Sequence, residues 1–385
     1  MLLTAEQLAE REEKILAPYA AFSCKSRGRK YKDTESKYRT CFQRDRDRIV
    51  HTKAFRRLKH KTQVFVALEG DHYRDRLTHS VEVALIARDI ARSLGLNEDL
   101  AESIALAHDL GHTPFGHSGE EALNKALKSH SESFEHNNQS RLIVEELEQI
   151  YPGFDGLNLS FEVRDGLIKH QSAYDQNEEK IRIHPSLEAQ IVNLADEIAY
   201  NCHDLDDGLR SGILDFNAAR QLNIWKMCEK SLLTRHKLLP EIPKYSQRYT
   251  GHIIHLFVSN IIKQTELNLE EFKIQTLDDV YKCPDYLVNF TDDFVAVNQE
   301  LRAFLMNNFY LHPEIKKNME EGQKIIRFIF KKYLNDTDLL PAHLQAKISN
   351  EKSKIDVIRD FIAGMTDNYA RNEYNKILKN AVPEM

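Results

Sequence analysis

Apolar positions recur along the chain at helical spacing and almost nowhere at the alternation a strand requires. Residues Thr4 to Ala17 form an amphipathic stretch that Pro18 ends. From Arg44 to Lys59, Ile49, Phe55 and Leu58 alternate with arginines, which predicts one helix with an apolar and a basic face. Thr62-Gln63-Val64-Phe65 reads as extended, and Gly70 to Arg76 as a polar loop. Thr78 is placed to cap a helix that buries Val83, Ile86, Ala87, Ile90 and Leu94 and closes at Gly95. Asn97 caps the next, whose stripe Leu100, Ile104 and Ala107 puts His108 and Asp109 in its last turn before Gly111. Ser118 and Glu121 have the spacing of a capping box, so a helix from Glu120 to Lys128 follows a loop stiffened by Pro114. A further helix runs through Leu142, Ile143 and Leu147 to Ile150, where Pro152 and Gly153 stop it.

His184-Pro185-Ser186 opens a long helix with Leu187, Ile191, Leu194 and Ile198 on one face and Asp196, Tyr200 and Asp204 aligned on the adjoining one. Beyond Ile213 the same periodicity predicts helices over Leu222 to Leu233, Ile253 to Ile262, Val297 to Phe309, Glu321 to Tyr333 and Ile355 to Tyr369. The stretch from His236 to His252, with Pro240, Pro243 and Gly251, is the best place for a loop or a boundary. Lys180 to His184 is a short strand candidate, too little to change the class, which is all-α. The expected organisation is a basic N-terminal segment over 1–60, a core over 61–212 and a C-terminal helical region over 213–385 packed on that core.

Composition narrows the function. At 385 residues and 42% hydrophobic, the chain can bury a large core. No run reaches the ~18 apolar residues of a membrane span, and the opening Met1-Leu2-Leu3-Thr4-Ala5-Glu6 lacks a signal-peptide layout, so a cytoplasmic protein without a membrane partner is expected. The five cysteines are scattered, which argues against a disulfide framework or a thiolate zinc site. Net charge is −6, yet Lys25 to Lys61 holds fifteen Lys or Arg against four Asp or Glu. A polyanionic ligand is implied, and the apolar residues between the charges favour a pocket lining over a solvated arm.

The chemistry concentrates in Ala107 to Glu120, which carries His108, Asp109, His112, His117 and Glu120. A lone histidine at a helix start, such as His79, is ordinarily a surface residue. With His108, Asp109 and the Asp196 of an apolar segment it becomes part of a mixed imidazole and carboxylate set, suited to a divalent ion such as manganese, iron, cobalt, nickel or zinc, with magnesium also possible.

The order His79, His108-Asp109, Asp196 resembles the HD-domain metal phosphohydrolases. Longer strings sharpen the likeness: Phe42-Gln43-Arg44-Asp45-Arg46-Asp47-Arg48, Lys61-Thr62-Gln63-Val64-Phe65, Arg76-Leu77-Thr78-His79-Ser80, His108 to His117, Leu194 to Tyr200 and Phe361 to Asp367. Together they resemble the deoxyguanosinetriphosphate triphosphohydrolase family from about Ser26 to Tyr369. The resemblance implies an HD-domain helical core and cleavage of a deoxynucleoside triphosphate (dNTP) to deoxynucleoside and tripolyphosphate. It assigns the metal to His79, His108, Asp109 and Asp196, and a proton-donating dyad to His117 and Glu120. His112 and His136 would lie against the phosphates, with Arg76 gripping them. Gln63 would bind the sugar 3′-hydroxyl, with Tyr200 and Asp204 beneath the sugar. It also implies a homo-oligomer, tetramer or hexamer, and an effector dNTP or single-stranded DNA. A nucleotidase or phosphodiesterase of the same superfamily, or a nucleotide-binding sensor with a vestigial site, are the competing expectations.

Overall fold

A computed structural model describes residues 3–63, 74–168, 184–236 and 246–381. Val64-Phe65, residues 70–73 of the expected polar loop, 180–183 of the strand candidate and 237–245 of the expected linker lie outside the described residues. In chain order the helices are α1 (Ala5–Ile15), α2 (Cys41–Val50), α3 (Lys53–Arg57), α4 (Arg76–Ser93), α5 (Glu98–Ala107), α6 (Gly116–Lys128), α7 (His136–Leu142), α8 (Phe161–Gly166) and α9 (Leu187–Arg210). They continue as α10 (Phe216–Ala219), α11 (Asn223–His236), α12 (Ser246–Glu271), α13 (Leu277–Lys282), α14 (Asp292–Leu305), α15 (Pro313–Asn335), α16 (Ala342–Gln345), α17 (Glu351–Ala363) and α18 (Asp367–Ala381). Among the described residues there are isolated β-bridges and no strand, so the all-α expectation holds. No helix of the described residues is long and apolar enough to cross a membrane.

Caps decide where several helices start, and here the structure departs from the sequence reading. The stretch Arg44 to Lys59 is not one helix: Thr52 is extended and accepts the Phe55 N–H at 3.0 Å, which ends the first helix and starts α3. Asp75, not Thr78, caps α4, accepting the Thr78 N–H at 2.8 Å. Ser118 caps nothing; its hydroxyl donates to the Phe115 carbonyl, and α6 begins at Gly116 behind a left-handed Phe115 that offers no side-chain cap. α5 stops at Ala107, so His108 and Asp109 sit in the turn just past it. α7 passes into a π turn over Ile143–Leu147 that ends at Glu148, short of Ile150. Gly364 splits the final predicted helix into α17 and α18, and α12 already begins at Ser246.

The chain alternates between two compact units, one of Met1–Val50, His79–Ala107 and Leu157–His312, the other of His51–Thr78, His108–Gly156 and Pro313–Met385. In the first, α5 packs between α2 and α9, and α9 packs on α12, burying Phe42, Ile49, Leu100, Ile104, Ile191 and Ile198. In the second, α15 packs on α6, α17 and α18 around Phe115, Leu123, Leu127, Ile326, Ile329 and Ile362.

Several arginines of the basic stretch are paired inside the first unit. Arg29 pairs with Asp45 and Glu35, Arg44 with Asp33 and Glu35, and Arg46 with Asp47, Asp99 and Glu102. Arg48, buried, pairs with Asp33 and donates to the carbonyls of Leu157 and Asn158 at 2.8 and 3.0 Å.

Candidate active site

The helix-borne residues lie in the first unit. His79 lies in the first turn of α4 and is only 1% exposed, against the surface position expected of a lone histidine at a helix start. Its Nε2 lies 3.0 Å from Asp196 Oδ1 on α9, and its Nδ1 lies 3.3 Å from His203 Nδ1 on the same helix. His203 in turn pairs with Glu82, one turn along α4 from His79. This His203 and Glu82 pair was missed in the sequence, although both stand at helical spacing from recognised residues: seven positions after Asp196 and three after His79. A metal-type imidazole whose second nitrogen is held by a further polar group has its ring orientation fixed.

Further along α9, Tyr200 is half-buried and Asp204 buried. The Tyr310 hydroxyl donates to Asp204, and the two tyrosine rings stack with centroids 6.1 Å apart at 20°. Burial and the neighbouring Asp204 carboxylate push the Tyr310 hydroxyl well up, so it stays a donor. Tyr310 carried no sequence signal, since 106 residues separate it from Asp204.

The loop lies in the second unit. Asp109 is buried; its Oδ2 accepts from Arg76 at 2.9 Å, and its Oδ1 lies 3.1 Å from His112 Nε2 and 3.3 Å from His108 Nε2. Burial alone would raise this carboxyl, but His108, Arg76 and His112 hold it well below the usual range, so it is anionic. The same burial, with the Arg76 charge, pushes His112 well down and leaves that imidazole neutral. The His112 ring stacks on His136 at 3.9 Å.

Glu120 is the second carboxylate of the loop region. Its oxygens lie 3.0 and 3.1 Å from His136 Nδ1 and 3.5 Å from His117 Nδ1. Burial pushes Glu120 up, and hydrogen bonds from His117 and His136 more than offset it, so the carboxyl is held far below its ordinary value. His117 is 56% exposed, whereas His136 and Glu120 are 13% and 15% exposed. The loop is backbone-close: a Cβ on Gly111 would stand on the His136 carbonyl, and one on Gly119 on that of Pro114. The Ser140 hydroxyl clips it, accepting the Gly111 N–H and donating to the His108 carbonyl at 2.8 and 2.7 Å. Gln63 is buried, and its side-chain oxygen has no hydrogen-bond partner among the described residues.

A set of imidazoles and carboxylates, with an anionic buried aspartate among them, suits a metal-dependent phosphohydrolase of the HD class. Residues 76–201 match the HD domain, and residues 288–376 the Phosphohydrolase-associated domain. The chain is 44% identical to the deoxyguanosinetriphosphate triphosphohydrolase-like protein of Geobacter sulfurreducens, covering 98% of this chain and 99% of that one. It is 46% identical to that of Ralstonia pickettii, covering 94% of each, and 42% identical to that of Bartonella quintana, covering 94% of this chain and 95% of that one. The chain belongs to this deoxyguanosinetriphosphate triphosphohydrolase-like family.

HD domains bind divalent metals, and the donors present fit one. Within the first unit, His79 and Asp196 offer a nitrogen and an oxygen 3.0 Å apart; within the second, His108 and the anionic Asp109 offer the same chemistry 3.3 Å apart. His112, Glu120 and His136 form another group of ligand-type atoms within 4.8 Å. The parallel stacking of His112 on His136 counts against that group, because imidazole lone pairs lie in the ring planes and parallel rings cannot aim them at one ion.

Proposed function

We propose that the chain is a metal-dependent dNTP triphosphohydrolase, breaking the bond between the α-phosphorus and the 5′-oxygen to release deoxynucleoside and tripolyphosphate. The observation that carries this reading is the pairing of the exposed His117 with the half-buried, anionic Glu120. His79, His108, Asp109 and Asp196 would hold the ion, whether manganese, magnesium, iron, cobalt, nickel or zinc. Bound there, a divalent cation supplies Lewis acidity to a phosphoryl oxygen and lowers the pKa of water.

Within the chain, Glu120 accepts from His117 Nδ1 and so orients the ring, leaving Nε2 to give its proton to the departing 5′-oxygen. Arg76 meets the phosphate charge with a guanidinium whose planar donors suit paired phosphate oxygens. By the family resemblance His112 and His136 would lie against the same oxygens; the neutral His112 keeps its one N–H on the Nε2 that faces Asp109 and adds no full charge there. The buried side-chain oxygen of Gln63 suits a hydroxyl donor, as the sugar 3′-hydroxyl would be. Tyr200, stacked on a Tyr310 that Asp204 holds, presents a fixed ring edge beneath the sugar where a 2′-hydroxyl would collide. The family resemblance further suggests a cytoplasmic homo-oligomer, tetramer or hexamer, with an effector dNTP or single-stranded DNA.

Product analysis tests the proposal. Each deoxy- and ribonucleoside triphosphate, singly and mixed, is incubated with the chain and manganese or magnesium, and the products are separated by anion exchange. Deoxynucleoside with tripolyphosphate is expected, from deoxy substrates only. Release of inorganic phosphate or pyrophosphate, or cleavage of monophosphates alone, would sink the reading in favour of another nucleotidase.

A further inference from the structure

The helix that bears His117 and Glu120 starts in an unusual way. Phe115, two residues before His117, has φ +64, a left-handed conformation that bulky side chains avoid. No side chain caps the helix there, so local chemistry does not explain why the chain holds this geometry. The hold comes from the C-terminal helices of the same unit. Asp367, the first residue of α18 and buried, accepts the Phe115 N–H with Oδ1 at 2.9 Å. Its Oδ2 accepts the Thr62 N–H at 3.0 Å and the Thr62 hydroxyl.

Gly322 on α15 backs the same residue: a Cβ there would come within 2.7 Å of Phe115 Cβ and 2.8 Å of Cγ. The Arg371 guanidinium of α18 stands 5.2 Å from the Phe115 ring centroid. The buried Lys61, next to Thr62, donates to the carbonyls of Ala363 and His112, so the end of α17 is tied to the loop as well. One carboxylate therefore fixes two points of the candidate site: the residue before Gln63, and the residue from which α6 sets out toward His117.

We propose that Asp367 is a positioning residue for the hydrolysis: it locks Phe115 in the left-handed conformation that aims His117 and Glu120, and in the same act sets Gln63. The kinetic part rests on the triphosphohydrolase reading; the structural part does not. The role needs an acceptor at every contact, because all three groups facing the carboxylate are donors. Asparagine would turn an NH2 toward one of the two N–H groups. Once released, Phe115 relaxes toward negative φ, and the first turn of α6 rotates with it. A displacement of about 1 Å in a catalytic group lowers turnover by as much as ~100-fold.

The test compares Asp367→Asn and Asp367→Glu with the unaltered chain. Tripolyphosphate release gives kcat, KM and the pH profile, and hydrogen exchange is followed over residues 111–120. In Asp367→Asn, kcat is expected to fall about 10- to 100-fold, with metal content unchanged, an altered pH profile and faster exchange in this segment, and Asp367→Glu should recover part of the loss. A folded Asp367→Asn whose segment exchanges at the original rate overturns the proposal. So does a kcat loss with an unmoved pH profile, which would mean only fewer folded molecules. If the unaltered chain releases no tripolyphosphate, the functional reading fails while the exchange comparison still decides the clamp. If Asp367→Asn does not fold, Thr62→Val decides. It removes one donor and keeps the side-chain shape, and unchanged exchange and pH profile there overturn the proposal.

Discussion

Two aspartates in the run Arg44-Asp45-Arg46-Asp47-Arg48 should respond oppositely to the same change. Asp45 is fully buried; it pairs with Arg29, whose side chain is 5% exposed, and accepts the Ser160 N–H at 2.8 Å. Asp45→Ala strands a buried guanidinium, and breaking a buried pair from one side costs about 3–5 kcal/mol. Glu35, 2.6 Å from Arg29 but half exposed, and the Asn158 carbonyl at 2.7 Å remain to soften the loss. The Ser160 N–H left behind adds about 1–3 kcal/mol, part of it already counted in the first figure. We expect a net loss of about 3–4 kcal/mol, a large share of the ~5–15 kcal/mol that keeps a domain folded. Asp47 pairs with Arg39 and Arg46 where the side chains are 29% to 47% exposed, so Asp47→Ala should cost at most ~1 kcal/mol. Urea unfolding followed by far-UV circular dichroism reads both as midpoint shifts at constant slope. Equal losses for the two variants, or a loss under ~1.5 kcal/mol for Asp45→Ala, would refute the argument that the buried Arg29 depends on Asp45 as its charge partner.

Other predictions use the same structure. Gly322→Ala gains about 1 kcal/mol of helix propensity, but its methyl meets the clamped Phe115 at 2.7 Å, and overpacking at about 1–3 kcal/mol should win; a raised urea midpoint would contradict this. His117→Ala should retain metal and nucleotide binding by calorimetry while losing turnover, and undiminished turnover removes His117 from the mechanism. Hydrogen bonds from His117 and His136 outweigh burial to hold Glu120 below its ordinary carboxyl value, so its stabilisation is full above about pH 4.3 and is lost as pH falls toward the folded value. Thermal midpoints of Glu120→Gln should therefore drop less than those of the unaltered protein between pH 7 and about pH 3.5; parallel curves would refute the assignment.

The helical class and most helices were legible because they rest on periodicity, which is local. The loop from Gly111 to His117 was legible as a rigid turn for the same reason. Helix starts were read less well wherever the capping group was not the obvious one. Thr52 inside an apparently continuous pattern and Asp75 ahead of Thr78 are caps that the helical period of the apolar residues does not mark. The partners of the arginines were not legible. A count of charges does not show partners, and Asp99, Glu102 and the Asn158 carbonyl reach Arg29, Arg46 and Arg48 from more than fifty residues away.

What no local rule could supply is the support of the proposed reactive groups. Asp204 depends on Tyr310, and Phe115 on Asp367, Gly322 and Arg371, all distant in sequence. The capping rules favour Ser118 because they assume that a helix start is satisfied by its own neighbours. Phe115 breaks that rule: its φ is unfavourable for an isolated residue and holds only because a buried carboxylate takes its N–H and a helix leaves room for its ring. A local rule therefore fails two residues before the proposed proton donor, where a conformation imposed by the fold fixes the imidazole's direction.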